Sequence, residues 1–462
     1  MSDAAAPPAP EPAPPPALPA GLLRTPAVKV LLLLGLLLLM LVPLTMVSGL
    51  IAERQERQAE VLAGFQRGWG PAQTVFGPVL AVPYLWTEPA AKPGDAPVRR
   101  RGWVQVPPSH LAASARLQPE LRHRGLFRAV VYDARVELTG TITPPDIQPG
   151  APGAELLWRE AVIVLSATSL RGMPAGARME WNGEAAPFTL ASLAGECGGT
   201  ASVPARLDAA PAPGAAMPFR ASLTLRGTQA FRIVPAAQQV ELQVISPWHT
   251  PGFTGPVLPL AYEVGGNGFT AAWQMAGTVP PQGWIAHAHP QAGCRAAIWD
   301  GADEQVGVDL LEAVPVHLMV SRAAKYGVLF LALTFLTYFL FETVSGLRIH
   351  LVQYGLLGLS VCLFALLLVA VAEPLGFAPG YAASTAAVLA QASLYTLSVT
   401  RRPRLAAVFA GVLGSLFGFL YVVLSLEAYS LLAGAVALFA ALSVVMAVTR
   451  GVDWSAAARP GR

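Results

Sequence analysis

The chain has 462 residues, 54% of them hydrophobic and only 13% charged, against roughly a quarter charged in soluble domains. A formal charge of +3 is too small a positive balance for a nucleic-acid partner, and a chain this apolar is expected to lie partly in a lipid bilayer. The three cysteines, Cys197, Cys294 and Cys362, show no CxxC or other zinc spacing, and nothing in the sequence calls for a cofactor.

Residues 1–26 carry eight prolines in their first twenty positions and are predicted to remain a disordered tail. Behind Arg24 and Lys29, an apolar run from Val30 to Ile51 is interrupted only by Pro43, Thr45 and Ser48. It is long enough to cross the roughly 30 Å hydrocarbon core at about 1.5 Å per residue, which predicts a first transmembrane helix over 27–51. A cleaved signal peptide is the competing reading. The run is long for one and lacks a clear A-x-A site, which favours an uncleaved anchor.

From Ala52 the mixed charges of Glu53, Arg54, Glu56, Arg57 and Glu60 read as the solvated face of a short amphipathic helix outside the lipid. Segments rich in valine, isoleucine, threonine and aromatics then alternate with Pro/Gly punctuation, among them 130–143, 161–168, 219–226 and 239–245. Apolar and polar residues alternate with period two in Val136-Glu137-Leu138-Thr139 and Val240-Glu241-Leu242-Gln243-Val244, as in strands with one buried face. Residues 52–323 are thus predicted to form a large antiparallel, all-β, sandwich-like domain.

Five further apolar spans follow at about 326–344, 351–372, 380–399, 405–424 and 429–448, giving a five-helix bundle over 324–449 and a short tail over 450–462. Arg348 and His350 follow the first of these spans, Arg401, Arg402 and Arg404 the third, and Arg450, Arg459 and Arg462 the last, whereas Glu373 and Glu427 occupy the intervening connections. Basic residues favour the cytoplasmic side, so both termini are expected there and residues 52–323 outside, periplasmic in a Gram-negative host. Six crossings satisfy that parity. Arg322 and Lys325 break the rule locally, but side chains of this length reach the headgroups.

Ionisable residues within lipid are functional candidates by default. Glu342 lies about one turn inside the predicted cytoplasmic edge, where Arg348 is placed to neutralise it, and an interfacial ion pair is the competing reading. Ala407, Gly411, Gly414 and Gly418 have small-xxx-small spacing, which lets helices approach closely, either inside the bundle or in a homo-oligomer. Cys197 and Cys294 form a disulfide if the domain lies in an oxidising compartment, or remain two thiols. His287 and His289 would share a strand face, but no carboxylate joins them at ligand spacing. Ser246 and His249 lack the G-x-S-x-G elbow of a hydrolase.

Several segments resemble the CreD family of inner-membrane envelope-integrity proteins. The likeness lies in Trp69-Gly70-Pro71-Ala72-Gln73, Gly77-Pro78-Val79-Leu80-Ala81-Val82-Pro83-Tyr84, Arg124-Gly125-Leu126-Phe127, Ser246-Pro247-Trp248, Lys325-Tyr326-Gly327, Phe341-Glu342, Gly346-Leu347-Arg348-Ile349-His350, Gln353-Tyr354 and Thr449-Arg450-Gly451-Val452-Asp453-Trp454. It departs at Ser169, where the family usually has an aspartate before leucine. The resemblance implies a membrane protein of the envelope-stress and β-lactam response without established enzymatic activity. With the span edges, it marks Glu342, Arg348, His350, Lys325 and Trp248 as candidate functional or interface residues. The expected partners are the lipid bilayer and an envelope protein or polymer. The alternatives are a transporter or flippase using Glu342 and Gln391, or an enzyme built around His249, His287 or His289.

Overall fold

The computed structural model describes residues 26–88, 96–147, 149, 153–170, 177–190, 199–212, 214–277, 284–286, 304–310, 316–345 and 349–425, with scattered positions between 432 and 450. The chain divides into two units, Met1–Glu56 with Pro315–Arg462, and Arg57–Val314.

The membrane unit is helical. Helix α1 (Pro26–Gly68) runs without a break from the apolar stretch through the charged residues 53–60, so the short amphipathic segment expected there is the continuation of the first span. Pro43 sits inside it, removing a backbone donor. Nearby, Thr45 and Ser48 donate to the carbonyls of Val42 (2.8 Å) and Leu44 (3.0 Å), which occupies their hydroxyls where lipid offers no partner. Four further helices are described: α2 (Val316–Ser345), α3 (Leu351–Leu375), α4 (Phe377–Thr400) and α5 (Pro403–Ser425). Helices α1 to α5 each contain a segment long and apolar enough to cross a membrane. The expected span at 429–448 lies largely outside the described residues, although its described positions, such as Leu432 and Met446, are helical.

Phe364, Phe330 and Phe417 from three helices meet with ring centroids 4.7 and 4.8 Å apart. Tyr381 of α4 donates to the Phe417 carbonyl at 2.6 Å. Helices α3 and α4 meet so closely that a Cβ on Gly380 would stand 2.5 Å from the Ala372 backbone.

The second unit is two β-sheets around a main core, with a second apolar cluster beside it. The strands used below are β1 (Gln73–Glu88), β2 (Val98–Val106), β3 (His110–Arg124) and β4 (Phe127–Ile142). A ten-stranded sheet is built about β1, and an eight-stranded sheet places β3 and β4 at its centre. Most pairs are antiparallel, as expected, but the sheets are mixed: β1 runs parallel to Ala230–Ile233, and β3 parallel to Gln239–Ser246. Side-chain alternation reports which face is buried and not strand direction, which is why the antiparallel expectation missed these two pairs.

The eight-stranded sheet buries one face. Gln239–Ser246 alternates exposed and buried along nearly its whole length, and Val136, Leu138, Val240, Leu242 and Val244 enter the main core. By contrast, β1 is buried on both faces from Gln73 to Tyr84. Val75, Leu80, Val82 and Tyr84 join the main core, while Phe76, Val79 and Ala81 join a second cluster with Val164, Val234 and Ala236. The odd-numbered residue faces the main core at Val75 and the second cluster at Val79, so the strand changes phase between them. A register shift against Val162–Ala167 lies at that point, and Gly77 there has φ +92° with Val164 O only 2.8 Å from where a Cβ would sit. Glycine is required by both the conformation and the space.

The turn from α1 into β1 is held by Trp69, Gln73 and Tyr132. The Trp69 indole donates to the Tyr132 carbonyl at 3.2 Å, and the guanidiniums of Arg122 and Arg226 stand 4.1 and 4.7 Å from its ring centroid. The Gln73 amide donates to the carbonyls of Arg226 and Ser169 and accepts from the Ser169 N–H. The Tyr132 hydroxyl donates to the Ala230 carbonyl and accepts from the Gln73 N–H. Burial pushes this phenol above its ordinary value of 10.0.

Tyr132→Phe leaves two buried backbone groups short of a partner and is expected to cost about 1–3 kcal/mol, measured by thermal unfolding of the full chain. Because the folded pKa is raised, the tyrosine's contribution is complete below about pH 10 and is lost as pH climbs beyond it. The stability gap between wild type and Tyr132→Phe should therefore hold from pH 7 to 9 and shrink above about 10.

Candidate functional site

The most polar centre of the helical unit forms where three helix ends meet. Lys29 lies in the first turn of α1, Glu342 near the C-terminal end of α2, and Tyr354 in the first turn of α3. The Lys29 ammonium donates to Glu342 Oε1 and, at 3.0 Å, to the Ile349 carbonyl. The Tyr354 hydroxyl donates to Glu342 Oε2 at 2.9 Å. Lys29 also stands 5.5 Å from the Tyr354 ring centroid, within cation–π range. The Lys29 and Glu342 side chains retain only 24% and 13% of their exposure, and Tyr354 is fully buried.

Each element contributes for a local reason. His350 caps α3: its Nδ1 accepts from the Val352 N–H at 3.3 Å, and the Gln353 side chain accepts from the His350 N–H at 3.0 Å. This reciprocal cap starts the helix, and Tyr354 follows it. Tyr338, one turn before Glu342, meets Tyr354 edge-on at 5.4 Å and shares a hydrogen bond with Thr396 of α4 at 3.2 Å. Both carboxylate oxygens of Glu342 are thus occupied, and two N–H bonds of Lys29 are used.

The other sequence candidates are dispersed. Arg348, expected to neutralise Glu342, lies outside the described residues, as do Cys197, Cys294, His287 and His289. The described partners of Glu342 are Lys29 and Tyr354, neither of which the sequence marks as its partner. In the sequence Lys29 speaks to orientation, and its place at the edge of an apolar run is the signal for a pairing. Lys325 is exposed on α2. Trp248 packs against the β core, far along the chain from this centre, with its backbone N–H donating to Ser246 Oγ at 3.3 Å. His249 is exposed beside the Gly265 carbonyl. Gly414 faces Leu389 of α4, whereas Gly411 and Gly418 meet nothing among the described residues. Cys362 is buried against the Met40 carbonyl. Among the described residues no group of three His, Cys, Asp or Glu side chains is placed to hold a metal.

Farther along α1, and near the C-terminal end of α3, Arg54 and Glu373 form a second, more exposed ion pair at 3.7 Å. An apolar bundle bounded at both ends by charge pairs is the plan of a multi-pass membrane protein, and residues 25–455 match the family model of the inner membrane protein CreD. The chain belongs to the CreD family. It is also 27% identical over 441 residues to the inner membrane protein CreD of Escherichia coli (strain K12), covering 93% of each chain. This CreD-family chain is a multi-pass inner-membrane protein, with five helices able to cross among its described residues.

Removing one partner of a buried ion pair leaves an uncompensated charge, at about 3–5 kcal/mol, and the residual exposure of Lys29 points to the lower end. Lys29→Met and Glu342→Gln are each expected to lower thermal stability in detergent, and the double variant to recover most of the loss. Additive losses would mean that the two side chains do not act as a pair.

Proposed function

We propose that this chain is a non-enzymatic inner-membrane protein that supports cell-envelope integrity and the response to envelope stress and β-lactams. Its β unit stands on the periplasmic side and binds an envelope protein or polymer, while both termini are cytoplasmic. The observation that carries the reading against transport is the occupancy of Glu342: Lys29 and Tyr354 hold both oxygens, which suits a fixed clamp between helices better than a carboxylate that loads and releases cargo.

The charge distribution supports the orientation. Lys29 contacts the connection that leads into α3 at Ile349, so the start of α1 and that connection share one end of the bundle. The α4–α5 connection carries Arg401 and Arg402, with Arg404 just beyond it, while Glu373 marks the end of α3. Basic ends face the cytoplasm.

Reporter fusions test the direction: an alkaline phosphatase joined at Gly376 should be active and one joined at Arg402 silent, and the reverse would overturn the orientation. The doubly substituted Lys29→Met/Glu342→Gln chain, at normal abundance, should still restore envelope phenotypes to a deletion strain. Complete loss of function at that abundance would move the assignment to a transporter or flippase working through the bundle.

A further inference from the structure

Gln391 is a carboxamide in the wrong solvent. It lies on α4 nine residues before the helix ends at Thr400, about 14 Å along the axis, which places it well inside the apolar span. Its Oε1 accepts from Ser360 Oγ of α3 at 3.2 Å. Ser360 is buried, while Gln391 is exposed on the outer face of the bundle. The Nε2 group has no hydrogen-bond partner among the described residues. Acyl chains offer no acceptor, and an amide N–H left unpaired in hydrocarbon costs several kcal/mol.

We infer that α4 is a homodimer interface in which Gln391 of one copy bonds Gln391 of another across a two-fold axis along the bilayer normal. A carboxamide carries a donor and an acceptor, so it is complementary to itself, and an isologous contact brings a residue near the axis onto its own copy. The Ser360 bond holds the amide in place and leaves the second lone pair of Oε1 for the incoming N–H. Around it, Ala383, Ala387 and Ala390 are exposed on the same side of α4, and small side chains let two helices come close enough for the amides to meet.

The chain's own last span is a poorer occupant. Leu389, on the opposite side of α4 from Gln391, is the residue that meets Gly414 of α5, so α5 approaches the other flank. Between residues 431 and 448 the sole polar side chain is Ser443, and its hydroxyl already donates to the Phe439 carbonyl at 2.8 Å. This contact uses α4, whereas the small-residue spacing at Gly411, Gly414 and Gly418 lies on α5.

The test uses the full chain in lipid bilayers, with self-association read by energy transfer between labelled copies on dilution. Wild type should dimerise, Gln391→Met should raise the dissociation constant about tenfold, the scale of paired intramembrane hydrogen bonds, and Gln391→Asn, which keeps an amide, should raise it less. In a chain whose native cysteines are replaced, Ala387→Cys should crosslink copy to copy, and Gly411→Cys should not. A wild type that stays monomeric, a Gln391→Met dimer as tight as wild type, or crosslinking of Ala387→Cys to a cysteine at position 437 of the same chain would each overturn the proposal.

Discussion

Hydrocarbon accepts no hydrogen bonds, and that requirement organises both ends of the helical unit. Lys29 and Arg54 stand 25 residues apart on α1, about 38 Å in a helix, slightly more than the hydrocarbon thickness and less than the whole bilayer. Each ends in a carboxylate, Glu342 at one end and Glu373 at the other. Two ion pairs therefore fix how far α1 can slide along the bundle. Between them, the hydroxyls of Thr45, Ser48, Thr334 and Thr396 turn back onto their own helices.

The β unit is governed by water being excluded from both faces of one strand. Because β1 separates two apolar clusters, its sequence is almost continuously apolar where the eight-stranded sheet alternates. The Trp69, Gln73 and Tyr132 cluster then fixes where that strand begins. Gln73 satisfies the carbonyls of two separate strand ends, and a Cβ on Gly227 would lie 2.4 Å from the Tyr132 hydroxyl, so the tyrosine fills its space completely. Ser169 meets Gln73 through its backbone N–H and carbonyl, contacts that do not depend on the side chain at this position.

How much could be read from the sequence follows from the range of the forces involved. Apolar spans are local and additive, so α1 to α5 were visible as runs, and the one-sided strands around Val136 and Val240 were visible as alternation. Pairings across distance were not. Lys29 and Glu342 are 313 residues apart, and either residue alone looks like an interfacial charge. The nearest arginine in sequence, Arg348, was the natural choice of partner, since sequence proximity is the one distance a linear reading can measure. In the sequence Gln391 reads as a residue that could line a transport route with Glu342, because exposure of its amide on the outer side depends on which neighbours α4 has. Parallel pairing left no mark, since a strand's buried face is the same whichever way its neighbour runs.

The phase change in β1 bears on how related sequences should be aligned. Upstream of Gly77 the odd-numbered positions belong to one core, and downstream of Pro78 the even-numbered ones do. The two residues between them work as a frameshift in reverse, restoring meaning to a pattern that would otherwise be read from the wrong side. A gap placed there by an alignment would exchange the two cores for everything up to Tyr84, whereas the same gap in the turn after β3, beyond Arg124, would disturb only the tip of a hairpin.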